Sequence, residues 1–297
     1  MKVLVLGASG MLGHKVLQVL SQRFETYGTT RSRVDVLHQV APQAAAILEP
    51  FVATDFDSIT RVVTRVRPDV IVNCIGIIKQ VDAAKHPIAT IRLNSLFPHQ
   101  LADVCRTAGV RLVHISTDCV FSGAKGSYVE ADIPDPTDLY GRSKLLGEVS
   151  ESPALTLRTS IVGRELRSAN GLVEWFLSQR GGTVQGFRRA IFSGWSTASF
   201  ARALGDVIDE HRGLSGIWHV ASSPITKFDL LELLRDAFAA DVAIEPDDGF
   251  ACDRSLDGSA FRAATGITAP EWPEMVQEMR RESTFYDALR EPSVAGR

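Results

Sequence analysis

The chain is poor in groups that bind metals or form cross-links. It holds four cysteines, Cys74, Cys105, Cys119 and Cys252, with no C-x-x-C pair and no accompanying histidine cluster. No metal site and no disulfide framework are expected, and four buried free thiols are the reading that remains. No apolar run reaches the length of about 18 residues that reads as a membrane span. The opening run Met1–Leu6 is too short for a signal peptide and leads straight into glycines. A cytoplasmic protein is therefore expected. Neither sign of charge is in excess, since 32 basic and 35 acidic residues give a formal net charge of -3. That balance offers no footprint for nucleic acid. Internal repeats and low-complexity tracts are also missing. With 45% of its 297 residues hydrophobic and 23% charged, the chain has an ordinary globular composition and enough length to bury a large core.

Apolar strands alternate with helical stretches through the first half. Strands are expected at Lys2–Leu6, Glu25–Thr29, Val70–Cys74, Arg111–Ser116 and Leu155–Arg158. Helices are expected at Met11–Gln22, Ser58–Arg67, Ile91–Ala108 and Tyr140–Val149. Leu12, Val16, Val19 and Leu20 share one face of the first helix. Gly109 stands where a helix C-terminus favours glycine. This alternation predicts an α/β fold, a Rossmann-type doubly wound parallel sheet covered on both faces. Beyond about residue 160 the pattern loosens. Helices are expected at Leu172–Gln179, Ser199–Glu210 and Lys227–Ala239, a strand at Gly216–Val220, and breaks at Gly181-Gly182, Gly194, Asp247-Asp248-Gly249 and Pro270. The division is then a dinucleotide-binding domain over 1–160 and a smaller, mixed, substrate-binding region over 161–297, some of whose segments return to the first domain.

The sharpest local signal is Gly7-Ala8-Ser9-Gly10-Met11-Leu12-Gly13, between the first strand and the first helix. Gly7 permits the turn out of the strand, Gly10 leaves room for a pyrophosphate against the backbone, and Gly13 lets the helix approach the sheet. The free N–H groups and partial positive charge of the helix N-terminus then face the phosphates. At the end of the second strand, Thr30 and Arg31 stand where an acidic residue would select NAD. An arginine there suits the 2′-phosphate of NADP, with NAD the weaker expectation. A second signal is Tyr140-Gly141-Arg142-Ser143-Lys144, in which positions i and i+4 share a helix face. The lysine charge is expected to lower the tyrosine pKa, and the tyrosine to pass a proton to or from a carbonyl oxygen. Upstream, Ser116-Thr117-Asp118 ends a strand, where ligands of open α/β sheets bind. Thr117 is placed to hydrogen-bond the reacting oxygen, Ser116 to stand in for it, and Asp118 to deliver protons or hold a substrate hydroxyl.

These stretches resemble the extended short-chain dehydrogenase/reductases and, within them, the dTDP-4-dehydrorhamnose reductase family. Further matching stretches are Arg67–Asn73, Leu93-Asn94, Ser116–Phe121, Tyr140–Glu148 and Leu157–Ser160, with a weaker echo in Leu256–Phe261. The resemblance implies a catalytic set of Thr117, Tyr140 and Lys144. It implies that Asn73 and Gly76 flank the cofactor and that Asn94 supports the site from its helix. It implies a small-molecule nucleotide sugar, a 4-keto deoxysugar of carbohydrate biosynthesis, as substrate, to be reduced with the NADPH expected from Arg31. Three segments depart from the family: Ile161-Val162-Gly163 lacks the aromatic pair, the loop Ile75–Gln80 is more apolar, and Phe192–Thr197 replaces G-x-P-T. All three fall where the sugar or nucleotide belongs.

For a sugar diphosphate the second half offers Arg164, Arg167, Arg188, Arg189, Arg254 and Arg262 as cations and Trp195 as an aromatic surface. Arg254 and Trp195 are the substrate contacts expected beside Asp118. An epimerase on a similar substrate would use the same couple. A dehydratase needs a second carboxylate beside the threonine, and Thr117-Asp118-Cys119 supplies one only. A non-catalytic module of the methionine adenosyltransferase regulatory type is a third reading, which the intact Tyr140 and Lys144 oppose. No membrane or nucleic-acid partner is expected, and a homodimer is compatible with the sequence.

Overall fold

The computed structural model describes residues 1–297 except 32–33, 49, 80–85, 167 and 290–297. Seven strands form one parallel sheet: β1 (Lys2–Leu6), β2 (Glu25–Thr29), β3 (Ala46–Leu48), β4 (Val70–Asn73), β5 (Arg111–Thr117), β6 (Leu155–Thr159) and β10 (Gly216–His219). Their spatial order is β10-β6-β5-β4-β1-β2-β3. The chain runs outward from β1 through β2 and β3, then crosses back to β4 on the other side, so the order reverses between β1 and β4. The strands have near-continuous apolar burial because helices cover both faces. Val3, Val5, Val72 and Val113 face one core, and Leu4, Leu6, Ile71 and Leu112 face the other.

The helices on the first face are α1 (Met11–Leu20) and α8 (Thr197–Asp209), which pack together and are tied by the Arg23–Asp206 ion pair at 2.5 Å. Helix α8 is capped by Ser196, whose hydroxyl accepts from the Ser199 N–H at 3.1 Å. The second face carries α3 (Phe56–Val66) and α5 (Phe97–Ala108), with α6 (Leu139–Leu146) beyond. Helix α5 ends at Gly109 with φ of +68°, as its position in the sequence predicts. The helix expected from Ile91 begins earlier, at α4 (Pro87–Thr90), and widens into a π-helical turn over Ile91–Leu96 before α5. Such turns recur at functional sites, and Asn94 lies inside this one.

A helix α2 (Val34–Val40) and strand β3 separate β2 from α3. A second sheet joins β8 (Gly182–Phe192) to β12 (Val242–Asp253) in parallel and to β11 (Ile225–Thr226) antiparallel. A two-stranded pair links β7 (Ile161–Val162) to β9 (Trp195–Ser196). Helices α7 (Leu172–Leu177), α9 (Lys227–Phe238), α10 (Ser259–Thr265), α11 (Trp272–Arg281) and α12 (Ser283–Ala288) are the remaining helices among the described residues. The triplet Asp247-Asp248-Gly249, expected as a break, lies inside β12, where the register with β8 slips between Asp247 and Ala251. A bulge explains how strand pairing survives these residues. Among the described residues no helix is long and apolar enough to cross a membrane.

Candidate active site

The parallel register places the C-terminal ends of the central strands side by side. Leu6 of β1 pairs with Asn73 of β4, Asn73 with His114 of β5, and Thr117 of β5 with Thr159 of β6. Loops leaving these ends therefore share one edge of the sheet, beside the reversal between β1 and β4, which is where α/β sheets hold ligands.

The glycine turn leaves β1 there. Gly7 has φ of +79°, and the Gly10 N–H closes the turn on the Gly7 carbonyl at 3.0 Å. A Cβ on Gly13 would stand 2.1 Å from the Gly7 carbonyl oxygen, so only glycine lets α1 seat this closely. Ser9 and Gly10 are exposed, Met11 is half-buried and Leu12 is buried. Gly10 caps α1 without a side-chain acceptor, so the first-turn N–H groups keep their donor capacity. A Cβ on Gly10 would meet only the Gly7 carbonyl, at 3.4 Å. Open space over free N–H groups is a cradle that a pyrophosphate fits. Arg31 is exposed and Thr30 is buried at the end of β2.

Helix α6 brings the tyrosine to the strand end. The Asp138 carboxylate accepts from the Gly141 N–H at 2.8 Å and caps it. A Cβ on Gly141 would lie 2.2 Å from the Cys119 carbonyl, so the glycine allows α6 to press against the short 3-10 turn Asp118–Val120 that follows β5. Tyr140 is half-buried and Lys144 is 5% exposed. Lys144 Nζ donates to the Ile115 carbonyl at 2.7 Å. The Thr117 hydroxyl donates to Asp118 at 3.0 Å and accepts from the Cys119 N–H at 3.1 Å.

Electrostatics qualify the expected couple. Burial and the neighbouring Cys119 raise the Tyr140 pKa, and a hydrogen bond with Thr117 opposes them. The expected lowering by Lys144 is thus corrected: the protein's own groups keep this phenol protonated. Its role as a proton holder needs no phenolate. Burial lowers the Lys144 pKa to about 8, against the pull of Glu148 and Cys74. Burial raises the Asp118 carboxyl, opposed by the Thr117 hydroxyl, Lys227 and Arg254.

The supporting residues are tightly engaged. Asn73 is fully buried, bonded to His114 Nδ1 at 3.1 Å and accepting from the Ile75 N–H at 3.1 Å. Asn94 accepts from the Ile77 N–H at 2.8 Å and donates to the Ile77 carbonyl at 3.0 Å and Ser143 at 3.1 Å. It thus ties the loop after β4, with exposed Gly76, to α6. Lys79 and Asp138 add an ion pair at 2.7 Å between the same elements. Ser116 turns away from Thr117 and donates to Glu148 at 2.6 Å, while Arg158 grips Glu148 with two donors at 2.8 Å each.

The substrate candidates separate. Arg254 belongs to the site, with its Nε on the Phe121 carbonyl at 2.9 Å and its charge coupled to Cys119, Cys252, Asp118 and Asp138. Trp195 lies in β9, 2% exposed within the main core, with no partner for its Nε1. Arg164 is buried and spent on Glu174 at 2.6 Å and Asp287 at 2.8 Å. Arg188, Arg189 and Arg262 are exposed, and Arg167 lies outside the described residues. Of the thiols only Cys105 is buried; Cys74, Cys119 and Cys252 are half-buried, correcting that expectation. Cys119 and Cys252 both act on the charge of Arg254.

One cation escaped the sequence reading. Lys227, the first residue of α9, is coupled to Asp118, Cys119 and Cys252, and burial lowers its pKa to about 8. Its Nζ stands 3.6 Å from the centroid of Phe192. Only its position behind the cap residue Thr226, whose hydroxyl accepts from the Asp229 N–H, was visible in the sequence. Nothing local tied it to Asp118.

Fold and site together define a Rossmann-type α/β protein whose tyrosine-lysine helix faces the strand ends beside a glycine turn. The chain belongs to the family described as the RmlD substrate binding domain, whose model matches residues 1–285. A probable low-salt glycan biosynthesis reductase from Haloferax volcanii is 29% identical over 255 residues, 82% of each chain. A dTDP-4-dehydrorhamnose reductase from Burkholderia thailandensis is 35% identical over 171 residues, 54% of this chain and about half (50%) of that one. The solved dTDP-4-dehydrorhamnose reductase from Bacillus anthracis, in complex with NADP, shares the fold: the TM-score is 0.79 at 22% identity, over 95% of this chain and 99% of that one.

Proposed function

We propose that the chain is a cytoplasmic NADP-dependent reductase of a keto group, at C4, on a nucleotide-linked deoxysugar. The observation that carries this reading is the meeting of Thr117, Tyr140 and Lys144 at the end of β5, on the sheet edge that also carries the glycine turn. The names of the relatives, reductases of sugar metabolism, support the substrate class. Gly7, Ser9, Gly10, Met11, Leu12 and Gly13 would hold the pyrophosphate, and Thr30 and Arg31 the adenosine end. Bound NADPH supplies a hydride to the carbonyl carbon. Tyr140 holds the proton for the carbonyl oxygen, and Thr117 orients that oxygen by a hydrogen bond. Lys144, charged at neutral pH and held on the Ile115 carbonyl, would bind the nicotinamide ribose. One hydride and one proton convert the ketone to an alcohol, and the tyrosine recovers its proton from solvent. Asp118, Arg254 and Lys227 form the substrate side, where two cations can meet a diphosphate.

A panel of nucleotide-linked 4-keto sugars, followed by NADPH absorbance, tests the proposal. Stoichiometric NADPH oxidation with one of them is the expected result. Turnover of the sugar without net NADPH loss would make the chain an epimerase, and no turnover with any of them would favour a binding module.

A further inference from the structure

The first helix is gripped from behind by the last helix among the described residues, α12. His14 is fully buried, and both its ring nitrogens are used. Nδ1 lies 2.9 Å from the Gly10 carbonyl oxygen. A carbonyl only accepts, so Nδ1 carries the hydrogen. Nε2 is then the acceptor, and the Tyr286 hydroxyl, 2.6 Å away, donates to it. Burial lowers the His14 pKa to about 3, so this neutral tautomer holds throughout the working pH range. Tyr286 belongs to α12 and is 1% exposed. The Arg164 guanidinium lies 5.0 Å from its ring centroid and Lys15 Nζ lies 5.4 Å from it. Lys15 in turn pairs with Glu282 at 2.6 Å. The tyrosine therefore has little freedom to move.

The Gly10 carbonyl belongs to the same planar peptide unit as the Met11 N–H, and the two point in opposite directions. A bond that fixes the carbonyl inward, toward His14, also fixes the Met11 N–H outward at the N-terminus of α1. The His14 backbone N–H also donates to this carbonyl, at 3.1 Å, so the ring N–H is a second donor that adds to what the helix itself holds. We infer that His14 and Tyr286 are positioning residues of the phosphate-binding turn, so that α12 sets the affinity for the dinucleotide. This rests on the proposed binding of NADPH at that turn.

The test compares two probes on the full-length protein. NADPH spans the turn with its pyrophosphate, whereas adenosine 2′-monophosphate reaches only the adenosine end. Tyr286→Phe removes one hydroxyl and keeps the ring. A hydrogen bond contributes about 0.5–1.5 kcal/mol net, so the Kd for NADPH should rise roughly two- to tenfold while that for adenosine 2′-monophosphate stays put. Glu282→Gln is the control. It removes the charge that Lys15 of α1 pairs with just before α12, lowers the Tm, and leaves NADPH affinity within about twofold, because the relay survives. The inference is overturned if Tyr286→Phe lowers Tm yet leaves the NADPH Kd unchanged, or if both probes weaken together. Wild-type protein that binds no NADPH would instead remove the reading on which the inference rests.

Discussion

Lys144 reaches from α6 to the Ile115 carbonyl at 2.7 Å, the strand that carries Thr117 at its end. This bond fixes the ammonium beneath the reacting edge, and burial brings its pKa to about 8. Lys227 is lowered to about 8 as well. Both are charged at pH 7 and lose their protons as pH rises through about 8. We expect kcat/KM to fall above that pH. Lys227→Met should keep the fall that belongs to Lys144. A profile flat to pH 10 in that variant would show that Lys144 does not act through its charge. The same shifts have a stability consequence. Between about pH 8 and 10.5 the unfolded chain binds more protons at these lysines than the native one, so their penalty on stability shrinks as pH rises. Tm measured over that window should fall less steeply in wild type than in Lys227→Met.

Tyr140→Phe should keep the fold and NADPH affinity and lose about 10²- to 10⁴-fold in turnover, the usual contribution of general acid catalysis. The ring still packs, and only the proton goes. Turnover near that of wild type would remove Tyr140 from the mechanism.

Arg31→Ala should cut the preference for NADPH over NADH. Hydrogen bonds to charged groups contribute about 1.5–3 kcal/mol, or roughly ten- to a hundredfold in the ratio of the two Kd values. An unchanged ratio would place the 2′-phosphate elsewhere.

The legible parts of this protein are those whose cause is local. Lys2–Leu6 and Glu25–Thr29 form strands with the bounds expected from the sequence, the first from its apolar run and the second from its place in the strand-helix alternation. The glycine turn and the Tyr140–Lys144 spacing carry their geometry in a few consecutive residues. The second sheet was hidden for the opposite reason. Strand β8 begins at Gly182 and β12 carries Asp247-Asp248-Gly249, residues expected as breaks, and only their mutual pairing makes them strands. Lys227 was hidden because its environment is made by the turn after β5, by β8 and by β12, distant segments that meet only in the fold. The sign of the Tyr140 shift escaped for a similar reason, since spacing reveals Lys144 but not the burial that outweighs it.

Trp195 and Lys227 give the last contrast. Trp195 lies in the core at 2% exposure, and its Nε1 is buried without a partner. Trp195→Ala would open a cavity and cost about 3–5 kcal/mol of stability, weakening every ligand through the fold. Trp195→Phe removes the unpaired N–H, which relieves a desolvation cost of about 1–3 kcal/mol and offsets part of the lost packing. We expect Trp195→Phe to fold with a small change in Tm and to bind NADPH and nucleotide sugar like wild type. Lys227→Met should do the reverse: it keeps the stem over Phe192, removes the charge beside Asp118, and weakens nucleotide-sugar binding while NADPH binding holds. Titration of both ligands into both variants decides the matter. Selective loss of sugar-nucleotide affinity in Trp195→Phe, with none in Lys227→Met, would return the indole to the pocket and take the lysine out of it.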